Sequence, residues 1–107
     1  MADHGSRAVD ARQVMEDIFL SAGHDPIEAA EEGIKAEAVQ WLAQQIKASG
    51  LTQVEFGARI GWPQSTVSAL LRGNLEDYSL ARVNKALAVF GARIVLHPEL
   101  ELPQAAE

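Results

Sequence analysis

The feature that most constrains the fold is a pair of short helix signals separated by a single glycine. Thr52 and Glu55 form a capping-box pattern, so a helix is expected to begin just after Thr52. Gly61 is expected to end this helix after about two turns, because glycine readily adopts the left-handed conformation found at helix ends. A second short helix is predicted from Gln64 to about Arg72. Two helices this short need other helices behind them to bury their apolar sides.

The N-terminal half predicts two further helices. Apolar residues between positions 10 and 20 recur at the spacing of one helical face, which predicts a short amphipathic helix. A longer helix is expected to begin at Asp25, which can cap the free backbone N–H groups ahead of Pro26, and to run to Gly50. Gly33 lies inside this helix, where it permits either a break or close packing against a neighbour.

The C-terminal part predicts one more helix and a strand. Ser79 is expected to cap a helix that stops at Gly91. Residues 93–96 form a short β-branched segment between a glycine and a proline, and this pattern predicts a strand with nothing in the chain to pair with. The predicted fold is therefore all-α, with five helices and one short C-terminal strand.

Charge is divided unevenly along the chain, which matters because DNA-binding proteins usually present a basic face to the phosphates. The formal net charge is −6 at pH 7. Residues 1–37 hold nine acidic and three basic side chains, whereas residues 38–97 hold three acidic and six basic ones. The middle of the chain is thus mildly basic, and the acidic ends leave a second surface for another partner.

The two short helices, joined by a tight glycine turn and backed by other helices, have the layout of a DNA-binding helix-turn-helix unit. The spacing supports this interpretation. Gly57 lies where the first helix must pass close to the second, Gly61 makes the turn, and Val67 is expected to fill the angle between the helices. Trp62 is expected to fill the turn from the inside, with stacking on DNA as the alternative.

At these positions the sequence resembles the XRE, or Cro-type, helix-turn-helix family. It shares the opening Thr52-Gln53 of the first helix and Val67-Ser68 before a turn at Gly73. A wider resemblance, over about residues 17–96, is to compact XRE regulators that serve as HigA-like antitoxins. The segments that carry it are Asp17-Ile18-Phe19, Pro26-x-Glu28-Ala29, Leu51-Thr52-Gln53, Leu70-Leu71-Arg72-Gly73, Tyr78-Ser79-Leu80 and Gly91-Ala92-Arg93-Ile94.

The resemblance implies a λ-repressor-like five-helix domain that binds its own double-stranded operator DNA and neutralises a co-encoded ribonuclease toxin. The expected parts are an acidic arm with a short helix (1–24), the helix-turn-helix domain with its strand (25–97) and a flexible tail (98–107). Two positions depart from the family pattern. Gly57 stands where alanine is usual, at a cost of roughly 1 kcal/mol of helix propensity, and Pro63 stands where a hydroxyl or Asp cap is common.

By the same resemblance, the two short helices carry the DNA contacts. Gln64 begins the recognition helix, and its amide can pair bidentately with adenine N6 and N7 in the major groove. An ordinary solvated residue is the alternative for Gln64, as a surface charge is for Arg72. The predicted base-reading residues are Gln64, Ser65 and Ala69. The predicted phosphate-contacting residues are Gln53, Thr66, Ser68, Arg72 and Asn74.

A single short reading helix buries little DNA surface, so we expect a homodimer. Two recognition helices would then enter major grooves about 34 Å apart, one turn of the duplex. The unpaired segment 93–96 is expected to form the dimer by strand pairing across the axis. The predicted interface residues are Phe90, Arg93, Ile94, Val95 and Leu96.

The acidic N-terminal part suggests a second partner, because a basic RNA-cleaving toxin would be steered by complementary charge. The carboxylates proposed for this surface are Glu16, Asp17, Glu28, Glu31, Glu32 and Glu37. A solvated helix face is the alternative for each of them. Two other functions also remain open: an orphan or phage-type XRE repressor without a toxin, and a protein-interaction module that has lost DNA binding.

The sequence gives no support for an enzyme, a metal site or a cofactor. His4, His24 and His97 are scattered without ligand spacing, and the chain has no cysteine. The serines have no neighbouring histidine in sequence that would activate a nucleophile. No run approaches the roughly 18 apolar residues of a membrane span, and the N-terminus lacks an apolar signal core, so we expect a cytoplasmic protein with no membrane partner.

Overall fold

The computed structural model describes residues 10–104, and within them it contains five α-helices and a short 3₁₀ turn. The helices are α1 (Ala11–Ser21), α2 (Pro26–Ser49), α3 (Gln53–Ile60), α4 (Gln64–Leu71) and α5 (Leu80–Leu87), followed by the 3₁₀ turn Ala88–Phe90. The all-α prediction is confirmed, and each predicted helix is present. Residues 1–9 of the predicted acidic arm, with His4, and residues 105–107 of the predicted tail lie outside the described residues. None of the described helices is both long and apolar enough to cross a membrane.

Four of the five helices begin at a side-chain cap; those at Asp25, Thr52 and Ser79 were predicted, and the one at Asp10 was not. Asp10, Asp25, Thr52 and Ser79 each accept a hydrogen bond from a backbone N–H in the first turn of the helix that follows. Such a bond satisfies one of the donors that a helix N-terminus otherwise leaves without an intrahelical partner. Helix α4 differs, because its N-cap is Pro63, which makes no side-chain capping bond.

The core lies where α2 meets the three C-terminal helices. Leu42 of α2, Phe56 of α3, Leu70 of α4 and Val83 of α5 are all 0% exposed and belong to one cluster. Each of these helices therefore contributes a fully buried side chain, and truncating such a residue to alanine typically costs about 2–5 kcal/mol. This shared core fixes α3 and α4 relative to the rest of the molecule.

Helix α1 packs along the first half of α2, and Gly33 makes the approach possible. A Cβ atom at Gly33 would lie 2.7 Å from the carbonyl oxygen of Arg12 in α1. Helix α2 continues without a break through this position. Of the two roles expected for Gly33, close packing against a neighbour is therefore the one observed.

The predicted C-terminal strand is wrong for the described chain. Residues 91–104 contain no strand, because a strand needs a neighbouring backbone ladder and the segment has none within residues 10–104. The backbone N–H of Ile94 donates instead to Asn84 Oδ1 in α5, at 2.6 Å. Val95 and Leu96 remain more than half exposed, at 57% and 58%.

Candidate nucleic-acid interface

Helices α3 and α4 form a tight corner, residues 52–73, around Gly57. A Cβ atom at Gly57 would overlap the backbone carbonyl oxygen of Trp62 and lie 3.1 Å from Val67 Cγ2. The backbone N–H of Trp62 donates to the Gly57 carbonyl at 2.8 Å, and Gly61 between them has a φ of 73°. Val67 is 0% exposed. The predicted close approach at Gly57, the turn at Gly61 and the filling role of Val67 are all confirmed.

The capping box at the start of α3 is also formed as predicted. The backbone N–H of Thr52 donates to Glu55 Oε1 at 2.8 Å, and the backbone N–H of Glu55 donates to Thr52 Oγ1 at 3.0 Å. Hydrogen bonding to Thr52 holds the pKa of Glu55 below its ordinary value; the Thr52 backbone has the larger effect and its side chain the smaller one. This reciprocal pair fixes the position of Gln53, the first residue of α3.

Gln53 and Gln64, the first residues of α3 and α4, meet at the surface of the corner. Gln64 Nε2 donates to Gln53 Oε1 at 2.6 Å. The Gln64 amide keeps one N–H donor and its carbonyl oxygen, which are the groups that pair with adenine N7 and N6. The Gln53 amide keeps both N–H donors, which suit a phosphate oxygen. The sequence identified these two residues separately, and the structure joins them.

The other predicted contact residues lie along α4 and just beyond it. Ser65, Arg72 and Asn74 are exposed, whereas Thr66, Ser68 and Ala69 are half-buried. Arg72 Nη1 donates to Ser68 Oγ at 2.9 Å, which holds the guanidinium along α4. The Thr66 carbonyl oxygen accepts a hydrogen bond from the hydroxyl of Tyr78 at 3.0 Å, so the first turn of α4 is tied to the loop that precedes α5.

An aromatic cluster that sequence reasoning missed stands beside this corner. The guanidinium carbon of Arg82 lies 4.7 Å from the ring centroid of Tyr78 and 5.2 Å from that of Trp62. The two rings are 6.3 Å apart. Trp62 is half-buried and packs against the core, as expected for a residue that fills the turn. The spacing of Tyr78 and Arg82, four residues apart, was the one sequence signal for this cluster. The contact with Trp62 could be seen only in the folded structure.

A buried lysine fixes the loop between α4 and α5 from below. Lys35 Nζ donates to the carbonyl oxygens of Leu75 at 2.9 Å and Tyr78 at 2.8 Å, and it pairs with Glu32 Oε2 at 2.5 Å. Lys35 is only 5% exposed. The expectation that Glu32 belongs to an exposed acidic surface is therefore wrong, because Glu32 is the counter-ion of a buried cation and its side chain is only 13% exposed.

The fold and this corner are those of a DNA-binding regulator. Residues 22–98, more than half of the 107-residue chain, match the helix-turn-helix domain family. The protein belongs to this helix-turn-helix family. Comparison with curated proteins and with solved structures found no match. The match spans α2 to α5 and therefore includes the whole α3–α4 corner.

Proposed function

We propose that the protein is a sequence-specific transcriptional regulator of the XRE type that reads operator DNA with the N-terminal ends of α3 and α4. The hydrogen bond between Gln64 and Gln53 is the observation that carries this proposal. It orients both amides, so that Gln64 presents a donor and an acceptor to a base while Gln53 presents donors to the adjacent backbone. A polar group held in this way discriminates bases because a mismatched base leaves it unpaired.

The phosphate contacts in this proposal come from both sides of the reading helix. Gln53 serves one side, and Arg72 with Asn74 serves the other, where the chain leaves α4. Ser68 accepts a hydrogen bond from Arg72, and we propose that both side chains contact the same phosphate. The hydroxyl of Thr66 is a further proposed phosphate contact. These contacts set position and orientation without reading sequence.

Selection of bound duplexes from a random DNA library tests the proposal. We expect the full chain to enrich a twofold motif with an adenine at one position of each half-site. Gln64→Ala should relax the preference at that position by about 1–3 kcal/mol. Gln44→Ala, at an exposed glutamine of α2, is the matched control and should leave the motif unchanged. The absence of any enriched motif would overturn the function, and an unchanged motif with Gln64→Ala would remove that residue from base reading.

We also propose that the regulator acts as a homodimer. The C-terminal segment and α2 border an apolar groove of about 1140 Å³, with Trp41, Val95 and Leu96 among its lining residues. Phe90 stacks on Phe56 of the same chain, with the ring centroids 5.9 Å apart, and therefore packs within the protomer. Of the predicted interface residues, the exposed Arg93, Val95 and Leu96 are those available to a second copy, whereas Phe90 and Ile94 are half-buried.

Sedimentation of the full chain at micromolar concentration tests the dimer. We expect a dimer that Val95→Asp combined with Leu96→Asp converts to a monomer, because burying two carboxylates in an apolar interface is costly. Leu102→Asp, at an exposed leucine farther along the same segment, is the matched control. A wild-type monomer would contradict the proposal.

An autoregulating antitoxin is the second candidate function, and the N-terminal helices favour it. Glu16, Asp17, Glu28, Glu31 and Glu37 remain candidates for an acidic surface after Glu32 is removed from it. Glu28 and Glu37 have side chains that are 63% and 59% exposed, in loose pairs with His24 and Arg12. In this proposal a basic ribonuclease meets these carboxylates on α1 and the first half of α2, whereas DNA meets the α3–α4 corner. An orphan repressor, the alternative, would use only the corner.

Co-expression with the product of the neighbouring reading frame distinguishes these two candidates. We expect a complex that is lost when Glu28 and Glu31 are changed together to lysine, while DNA binding is retained. Glu76→Lys, in the α4–α5 loop, is the control and should leave the complex intact. No complex with the wild-type chain would favour the orphan repressor. DNA binding that is absent at low salt, with the complex formed, would favour a protein-interaction module.

A further inference from the structure

We infer that Arg82 is an additional contact to the phosphate backbone of DNA, held in its binding position by Trp62 and Tyr78. This inference rests on the proposed function, in which the α3–α4 corner binds DNA. Arg82 is exposed in the first turn of α5, and neither its position in the sequence nor the helix-turn-helix spacing identifies it as a contact.

The two rings place Arg82 beside the reading end of α4. Trp62 immediately precedes Pro63, the N-cap of α4, and its ring centroid lies 5.2 Å from the guanidinium carbon. Tyr78 donates its hydroxyl proton to the carbonyl oxygen of Thr66 in the first turn of α4. Both rings are therefore tied to the same turn that presents Gln64. A long side chain near the start of a helix points toward its N-terminus, which carries Arg82 toward this turn.

Within residues 10–104, the Arg82 guanidinium contacts the two rings and donates no hydrogen bond. A cation–π contact uses the charge of the guanidinium, so its five N–H donors remain available to another acceptor. Within residues 10–104, the ion pairs are those of Arg12, His24 and Lys35, so no described carboxylate forms an ion pair with Arg82. A phosphate fits these donors, because two of its oxygens accept parallel N–H bonds from one guanidinium.

Stacking also prepares the side chain for binding. A free arginine or lysine loses rotamer freedom when it contacts a phosphate, whereas Arg82 is already held against two rings. Lys85 offers a direct comparison, since it is exposed on the same helix and stacks on neither ring. If cations near the corner acted only through their general field, the two residues would contribute alike.

The salt dependence of DNA affinity tests the inference, because each phosphate contact adds about 0.9 to the slope of log K against log salt. The affinity of the full chain is measured for the selected operator and for a random duplex, from low to high salt. Arg82→Gln keeps the stem and a planar amide but removes the charge. We expect this variant to reduce the steepness of the slope by about 0.9 for both duplexes. Its loss of affinity relative to the wild type should therefore be about eightfold larger at 0.1 M salt than at 1 M salt.

Two further variants separate a phosphate contact from a structural stack. Arg82→Lys keeps the charge without the planar face, and it should retain the slope while binding less tightly than the wild type. Lys85→Gln should retain both the slope and the affinity. Thermal melts of all variants identify any loss of folding, and Arg82→Lys keeps the test decisive if Arg82→Gln does not fold.

The outcomes distinguish this inference from the function on which it rests. If the wild type binds the operator and Gln64→Ala relaxes its sequence preference, but Arg82→Gln leaves the slope unchanged, Arg82 serves only to stabilise the turn and the inference is overturned. An equal change with Lys85→Gln would also overturn it, since the effect would then be a general one of charge. A wild-type chain that binds no duplex would overturn the proposed function together with this inference.

Discussion

The α3–α4 corner and the N-terminal hairpin, formed by α1 and the first half of α2, are both helix pairs that approach closely at a glycine, yet they are held in opposite ways. In the corner, Phe56, Val67 and Leu70 are 0% exposed. In the hairpin, α1 has no buried residue, and its apolar Val14 and Ile18 are 47% and 54% exposed. The corner is therefore part of the core, whereas α1 is an attachment to it.

This difference matters for function, because base reading needs side chains held within a fraction of an ångström. Every contact that fixes Gln64 belongs to the corner or to the loop that Lys35 anchors. Changes at exposed hairpin residues, which exclude the buried Lys35 and its counter-ion Glu32, should then alter partner binding without altering DNA sequence preference. Measurements of stability test how differently the corner and the hairpin are held, beginning with the largest expected effect.

Truncation of one apolar side chain in each region should give very different losses of stability. Phe56→Ala should lower the free energy of unfolding by about 3–5 kcal/mol, because it leaves a cavity where α3 meets the core. Ile18→Ala should cost less than about 1 kcal/mol, because the side chain is already half exposed. Chemical denaturation of both variants provides the measurement. Similar losses for the two variants would mean that α1 is part of the cooperative core after all.

Alanine at the two glycines should separate the regions in a second way. Gly57→Ala should lower stability by roughly 1–2 kcal/mol, because the overlap with the Trp62 carbonyl exceeds the gain of about 1 kcal/mol in helix propensity. Gly33→Ala should be nearly neutral overall, since α1 can move away from α2. Hydrogen exchange should then show faster exchange in α1 alone. A Gly57→Ala variant as stable as the wild type would contradict the tight corner.

The smallest effect concerns pH and the capping box. Folding lowers the pKa of Glu55, so its contribution to stability is present above its ordinary pKa of 4.5 and is lost as the pH falls through the lower, folded value. The stability advantage of the wild type over Glu55→Gln should therefore shrink as the pH falls from about 6 to about 3. Thr52→Ser, which keeps the hydroxyl, is the control and should retain the wild-type pH dependence. A stability difference that does not change with pH would show that the charge of Glu55 does not contribute to the capping box.

Much of the fold was predictable because its signals are local. The caps at Asp25, Thr52 and Ser79 and the turn at Gly61 each depend on residues a few positions apart, so the sequence shows them directly. The helix-turn-helix resemblance identified Gln53 and Gln64 separately, whereas the hydrogen bond between them, across 11 positions, was not predicted. The prediction of a strand at residues 93–96 was wrong. β-Branched composition indicates only strand propensity, and a strand also requires a partner strand that the described residues do not provide.

The sequence alone determined where the helices begin and end, that Gly57 allows close approach in the corner, and which side chains start the two helices of the corner. The tertiary structure decided the rest, because the responsible contacts join distant positions. Lys35 reaches Tyr78 across 43 residues, and it withdraws Glu32 from the surface on which composition had placed it. Arg82 lies against the rings of Trp62 and Tyr78, which only the tertiary fold brings together. Burial and stacking depend on neighbours in space, and no local pattern encodes them.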